Sequence, residues 1–517
     1  MAKPTPDYFT RLAALAAIDD PASRPAKPVL EAFSATEMAT VPVGTAADLE
    51  LAVERARQAQ SAWAGRTPSE RAKVVGKFSD LVHSRADELM DIAQAETGKA
   101  RIYAQEEVLD VALTARYYAT YAPKLLAERK VPGMIPGATD VRVRYQPKGV
   151  VGVISPWNYP LTLAVSDAVA ALMAGNAVVI KPDSNTPYCA LALAELLYEA
   201  GLPRELFAVV PGPGSVVGQA IAETCDYLMF TGSSATGSTL AQQAGKRLIG
   251  FSAELGGKNP LIITADADID NAVEGAARAC FSNSGQLCIS IERIYVDASI
   301  AAEFSQKFAD FVENMKLNAA YDLTADMGSL ASADQMTAIE THVEDAVAKG
   351  ATVLAGGRKR ADLGPYFYAP TVLTDVTDEM ECCRNETFGP LVSIYPVDSV
   401  DEAITRANDT EYGLNASVFA GTTAQAQQIA EKLRAGTVNI NEGYAAAWGS
   451  TAAPMGGMGI SGLGRRHGEE GLLKYTEPQT IAAQRFIGLD GMTGVPRDLF
   501  RKVTPLAIRG LKYLPGR

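Results

Sequence analysis

A cysteine at position 288 lies in the stretch SNSGQLCISIER (282–293), among small and polar residues with Gly285 and Gln286 before it. Free cysteine packs as a small hydrophobe as readily as it reacts, so this stretch alone leaves a packing residue and a nucleophile both open. Thirty-four residues earlier, ELGGKNP sets Glu254 ahead of two glycines, either as a loop charge or as an acid-base group. SPWNYP (155–160) offers Asn158, whose side-chain amide can donate to an oxyanion, and IKPDSNTP (180–187) places the cation Lys181 at the end of an apolar run. PGPGSVVG (211–218) and FTGSSATG (230–237) are glycine-rich stretches after apolar runs, shapes that let a backbone approach a pyrophosphate. Neither has the G-x-G-x-x-G spacing, and each alone is structural as often as it binds. Together, on one sheet, they favour a dinucleotide.

The elements that must position these residues follow from periodicity. Residues 45–131 carry apolar positions three and four apart, broken at Gly98, and read as helices. TDVRVRYQPKGVVGVISPW then changes to alternation followed by an unbroken Val/Ile run, a solvated strand leading into a buried one. NAVVIKP, LFAVVPG, YLMFTGS and RLIGFSAELGG follow as short strands, with helical stretches such as PYCALALAELLYEAG between them. That alternation is the pattern of a parallel sheet of βα units. From about residue 256 the pattern restarts, with NPLIIT, ERIYVD, ATVLAGG, PTVLTDV, PLVSIYPV, ASVFAG and GTVNIN as strands. Two α/β units in succession are expected, joined near Glu254 to Gly257. Ligands of such sheets bind beyond the carboxyl ends of the strands, where the candidate residues fall.

A chain of 517 residues exceeds what one core usually serves, and 47% hydrophobic residues suffice to bury two or three. The first residues, MAKPTPDYFTRL, lack a charged start followed by an apolar block, so the reading is cytoplasmic. Six cysteines without a Cys-x-x-Cys pair and three scattered histidines argue against a disulfide framework and against any metal site. A net charge of −13 disfavours a nucleic-acid partner, and no apolar run is long enough for membrane insertion. The final stretch, DLFRKVTPLAIRGLKYLPGR, is basic, with Leu499, Phe500, Val503, Leu506, Leu511 and Leu514 near helical spacing and Pro505 expected to interrupt it. Packing against a neighbouring subunit is preferred for it over a membrane surface.

The blocks PWNYP, FTGSSATG, ELGGKNP, GQLC, ETFGP, YGLNASVFA and PMGGMGISGLGRR, in that order, resemble the aldehyde dehydrogenase superfamily over residues 40–485. Within it the chain looks most like bacterial succinate-semialdehyde dehydrogenases, notably in KPDSNTPYCALALAELLYEAGLP. The resemblance implies Cys288 as nucleophile, Glu254 as general base, and Asn158 with the Cys288 backbone N–H as oxyanion hole. It further implies a cofactor lined by Trp157, Asn158, Lys181, Ser184, Gly214, Gly218, Gly232, Ser233, Leu255, Glu386 and Phe388, with Glu386 on the nicotinamide ribose. The implied fold is α/β: a Rossmann-type cofactor domain (1–132 and 150–255), an α/β catalytic domain (256–440) and a β-arm (133–149 and 479–487). Residues 441–478 would return to the cofactor domain, 488–517 would form the basic tail, and the arm would join subunits into homodimers or homotetramers.

The residue types suit aldehyde oxidation. An aldehyde has no leaving group, and a thiolate converts it into a tetrahedral oxyanion able to expel hydride. The thioester left behind needs an activated water, which a desolvated carboxylate provides. Glu254 argues against the CoA-acylating relatives, which usually lack it, and the intact set of three argues against a binding protein that merely kept the fold. Ser184, where NAD-preferring relatives carry glutamate, points to NADP, with NAD possible; Asp183 is expected to face solvent. For substrate, succinic semialdehyde stands first and another aliphatic or aromatic aldehyde second, because the better-known enzymes' two arginines are here Ser166 and Ser282. Arg293 and the NEGYAAAW loop (441–448) are the candidates to hold a distal carboxylate instead. A second cysteine two after the nucleophile is replaced by Ser290, so no local disulfide switch is expected.

Overall fold

The structure is a computed structural model and describes residues 4–133, 139–485, 487–488, 491–492 and 494–512. The expected helical stretch resolves into four helices, Ala46–Ala64, Pro68–Ser84, Ala86–Thr97 and Arg101–Leu125. Each break has a local cause. Thr45 with Asp48, and Thr67 with Glu70, form reciprocal capping boxes that satisfy the first amides of two helices. The third helix ends at Gly98, at φ 72°, where a Cβ would lie 2.0 Å from Ser329 Oγ.

The first sheet has six strands in the order Gly462–Leu463, Gly250–Glu254, Tyr227–Thr231, Val150–Ile154, Ala177–Lys181, Phe207–Val209. All pair in parallel except Gly462–Leu463, which returns from late in the chain and runs antiparallel to Gly250–Glu254. Burial on both faces explains the unbroken Val/Ile runs. Helix Pro160–Met173 is buried along its whole length, between this sheet and helix Arg101–Leu125. Its Leu161 and Leu172 are fully enclosed, and truncating either to alanine would cost about 2–5 kcal/mol.

The second sheet has seven strands in the order Thr352–Ala355, Thr371–Thr374, Leu391–Val397, Ile291–Asp297, Asn259–Ile263, Asn415–Phe419, Thr437–Ile440, parallel except for the first. Separate apolar clusters cover its two faces. A third sheet pairs Thr476–Gln484 with Thr139–Pro147, and Thr139–Pro147 with Arg129–Val131, all antiparallel. Several elements carried no sequence expectation, among them the hairpin Ala26–Glu31 with Thr36–Pro42 and helices Pro6–Ala13 and Ala333–Ala348.

The basic tail corrects one expectation. Helix Arg497–Leu511 runs through Pro505 without interruption. The proline removes one amide donor, toward the Arg501 carbonyl on an exposed residue, while the Thr504 hydroxyl donates back to Phe500 O at 2.7 Å. Leu499, Val503 and Leu506 stand exposed; Leu514 lies outside the described residues. Among the described residues no helix is long and apolar enough to cross a membrane, and no group of three His, Cys, Asp or Glu could hold a metal ion.

Candidate active site

Cys288 follows a turn of unusual geometry. Helix Ile269–Phe281 ends, and Asn283, Ser284 and Gly285 then adopt φ of 49°, 57° and 69° in succession. Left-handed backbone in consecutive non-glycine residues is strained and persists only where the surroundings over-determine it. Here they do. Ser284 Oγ donates to Gly328 O at 3.2 Å, Gln286 Oε1 accepts from Ala331 N at 3.0 Å, and a Cβ on Gly285 would fall 2.1 Å from Gly389 O. On the far side, Asn259 Nδ2 donates to the carbonyls of Cys288 (2.8 Å) and Ser290 (2.7 Å).

Asn158 is tied to the same turn. Its Nδ2 donates to Gln286 O at 3.1 Å, and its own carbonyl accepts from Asn283 Nδ2 (3.1 Å) and Lys99 Nζ (2.8 Å). A primary amide carries two N–H donors, so the second remains for another acceptor. Lys99 is fully buried in an ion pair with Glu107, under the Tyr159 ring, and Glu107 accepts from the Leu161 amide at 2.8 Å at the start of helix Pro160–Met173. The pair therefore ties Asn158 to the helix that follows it, although no expectation from sequence included Lys99 or Glu107.

Two carboxylates act electrostatically on the sulfur. Glu254, at the end of strand Gly250–Glu254, is buried, and burial lifts its carboxyl to about 7 against the opposing pull of Arg466 and Lys474. Glu386 is lifted to about 8, by burial and then by Glu292. Its Oε1 accepts from the Gly257 amide at 2.8 Å, and a Cβ on Gly256 would meet Oε2 at 2.3 Å. A Cβ on Gly257 would lie 2.5 Å from the Cys288 carbonyl, so the two glycines after Glu254 are needed for close approach. Burial first, then Glu386 and Glu254, push the Cys288 thiol up to about 12. The resting side chain is a thiol, so any reaction through its sulfur needs a base to take the proton.

Arg466 balances these charges. It is buried, its Nη2 pairs with Asp167 Oδ2 at 2.9 Å, and Asp167 also accepts from Lys474 Nζ (2.8 Å) and Tyr475 Oη (2.9 Å). Those partners hold the Asp167 carboxyl far below the usual range despite its burial. The available signals were a lone acid in the apolar helix PLTLAVSDAVAALM and the doubled arginine of GLGRRHG.

The remaining expected residues lie beyond the carboxyl ends of first-sheet strands, except Phe388, which precedes strand Leu391–Val397 of the second sheet. Trp157 meets Phe388 edge to face at 5.5 Å, and Phe388 sits at φ 52° in a loop whose Thr387 and Phe388 amides both donate to Glu292 at 3.0 Å. Gly232 donates its amide to Glu254 O at 3.1 Å, Leu255 to Ser461 O at 2.9 Å, and Ser233 caps helix Ser234–Arg247. Gly214–Gly218 forms one wide helical turn, with Gly214 facing open space and Gly218 beside the Lys181 stem. Lys181 is buried, and its Nζ donates to Pro182 O at 2.9 Å. Ser184 lines a cavity of about 240 Å³ together with Lys27, Val41, Pro187 and Pro211. Lys27 is a second cation that sequence reasoning missed. Asp183 is half-buried, its Oδ1 accepting from the Asn185 amide at 2.9 Å in an exposed hydrogen bond.

The two candidates for holding a distal carboxylate are placed otherwise. Arg293 lies in strand Ile291–Asp297 and donates to the carbonyls of Lys258 (2.6 and 3.0 Å), Ala407 (3.1 Å) and Arg406 (3.2 Å). Its strand position turns it onto backbone oxygens of its own sheet. The 441–448 loop brings Glu442 and Tyr444 and no cation. Ser166 donates to Asp110 (3.0 Å), Ser282 to Arg278 O (2.6 Å), and Ser290 to Cys280 O (3.0 Å).

Comparison with known proteins follows this geometry. A profile of the aldehyde dehydrogenase family matches residues 20–481. A Mycolicibacterium smegmatis protein named putative succinate-semialdehyde dehydrogenase (NADP(+)) is 62% identical over 517 residues, covering all of both chains. The solved NAD+ complex of an aldehyde dehydrogenase from Bacillus cereus superposes with a TM-score of 0.85 at 35% identity, covering 89% of this chain and 93% of that one. The crystal structure titled E. coli NADP dependent enzyme gives 0.85 at 33% identity, covering 89% and 95%.

Proposed function

The chain belongs to the aldehyde dehydrogenase family, and from that premise we propose that it oxidises succinic semialdehyde to succinate with NADP, through a thioester on Cys288. The observation that carries the reading is the joint fixing of Asn158 and the Cys288 turn, with one Asn158 N–H left over and the Glu254 charge acting on the sulfur.

Cys288 loses its proton to a carboxylate, Glu386 or Glu254, which passes it on to solvent, and Sγ attacks the carbonyl carbon. The oxyanion takes the spare Asn158 N–H and the Cys288 backbone N–H, whose electrostatic support is in place before the reaction. NADP, when bound, supplies the acceptor for the expelled hydride. The acyl group stays on sulfur as a thioester; with the first proton released to solvent, ionised Glu254 draws a proton from water, whose oxygen attacks the acyl carbon. Carboxylate leaves, and Cys288 regains its proton.

The residues present fit the dinucleotide. Its adenosine end matches the cavity at Ser184, with Lys27 and Lys181 as cations for a 2′-phosphate, and Glu386 is the acceptor for the nicotinamide ribose. NAD remains a usable alternative. Ser184→Glu is expected to shift the NADP/NAD ratio of kcat/KM toward NAD by at least tenfold, about 1.4 kcal/mol. An unchanged ratio would show that position 184 does not read the phosphate.

A second substrate reading, an uncharged aliphatic or aromatic aldehyde, is favoured by one observation. Arg293 is spent on backbone carbonyls, and serines stand at 166 and 282. NADP reduction measured across succinic semialdehyde and uncharged aldehydes of equal length decides between the two, and activity without CoA excludes the acylating class.

The proposed setting is cytoplasmic, and the proposed assembly is a homodimer or homotetramer joined through the arm. In it the exposed apolar face of helix Arg497–Leu511 packs on a neighbouring subunit. Deleting residues 498–517 is then expected to change the mass in solution or the Tm and leave the protein soluble. Vesicle co-sedimentation that needs both the tail and anionic lipid would reverse that assignment.

A further inference from the structure

An open groove of about 990 Å³ is lined by none of the catalytic or cofactor residues above. Helix Ile269–Phe281 and helix Ala301–Glu313 supply its long sides, and Ile102, Phe311 and Leu323 are large apolar side chains left exposed along it. Four carboxylates, those of Asp270, Glu274, Asp310 and Asp326, line it against two cations, Arg278 and Lys307. Lys307 is already paired with Asp270 at 2.9 Å, so the groove is apolar within and acidic at its rim.

Helix Arg497–Leu511 carries the complementary surface. Its Leu499, Val503 and Leu506, spaced i, i+4 and i+7, make one exposed apolar stripe. Lys502 and Arg509, seven residues apart, flank that stripe, and residues 497–512 hold five cations and one acid in a chain whose net charge is −13. Fifteen residues of helix make a rod about 22 Å long. The chain reaches it through strand Thr476–Gln484, which is exposed after Thr476. Groove and stripe are therefore both open in the single chain, and two copies exchanging tails about a two-fold axis would cover both surfaces twice in a closed contact.

We propose that this groove receives the tail helix of a second copy, with the Leu499, Val503 and Leu506 stripe on Ile102, Phe311 and Leu323. Lys502 and Arg509 then meet the carboxylates of the rim. The proposal rests on the assignment of the tail to a neighbouring subunit and names the surface it meets there. An amphipathic helix laid into an apolar groove draws its hold from the stripe, and the opposite charges at the rim set its orientation.

The test joins the two surfaces covalently. Leu506→Cys and Phe311→Cys in one chain are expected, on mild oxidation, to give a covalent dimer about tenfold above either single substitution, because a disulfide needs Cβ atoms about 4 Å apart. A link within one chain, or none above the single variants, overturns the proposal. Glu274→Lys with Asp310→Lys should reproduce the change in solution mass or Tm that deleting residues 498–517 causes, and adding Lys502→Glu with Arg509→Glu should restore the original value. A change that the second pair leaves unrestored also overturns it, as does tail-dependent binding to anionic vesicles with the crosslink at background. If the deletion alters neither mass nor Tm, the assignment of the tail to a subunit falls; if it alters them and the groove variants do not, only the docking site falls.

Discussion

Replacing Cys288 with alanine should abolish NADP reduction with every aldehyde, while Glu254→Gln should still acylate and then stall. The first loss is total because, among the described residues, the remaining thiols are buried or, like Cys383, bonded at 3.3 Å to Asp378. In Glu254→Gln the acyl-enzyme should accumulate and appear by intact mass as the protein plus the acyl group. Near-normal turnover of that variant would remove the glutamate from the mechanism. The pH dependence has a definite sign. Burial raises the Glu254 carboxyl from 4.5 to about 7, and only its ionised form can accept a proton from water. Deacylation should therefore rise with pH through about 7 in wild type, and Glu254→Gln should flatten that limb.

Asn158→Ala should lower kcat by about a hundredfold or more, the usual cost of deleting one preorganised oxyanion donor. A second effect adds to it, because the substitution also deletes the bond to Gln286 O that braces the strained turn before Cys288. The thermal midpoint should fall little, since the Asn158 carbonyl keeps Lys99 and Asn283 as donors. A kcat within threefold of wild type would place the oxyanion elsewhere.

Much of the fold was legible because its signals are local. Unbroken Val/Ile runs ending in glycine or proline marked both parallel sheets, and Gly98 marked a helix end where only a residue without Cβ fits against Ser329. Residue type alone misled at two points. Arg293 looked like an anion receptor, but its place in a strand turns it onto carbonyl oxygens. Pro505 looked like a break, yet an exposed helix tolerates the loss of one backbone bond. The structure gathers Cys288, Glu254, Glu386 and Asn158, which the order of motifs had singled out. It adds Lys99, Glu107, Asp167, Arg466 and Lys474, which no periodicity could reveal. Asp167 meets Lys474 across 307 residues of chain, and such pairing leaves no trace in either neighbourhood.

The elevated thiol at Cys288 also bears on how the protein ages. Peroxide and alkylating reagents attack the thiolate, so a sulfur held near pKa 12 is a slow target at neutral pH. Ser290 denies it a sulfur two residues away for a local reversible disulfide. Burial and the two carboxylates thus favour the protonated, slowly reacting form of this sulfur.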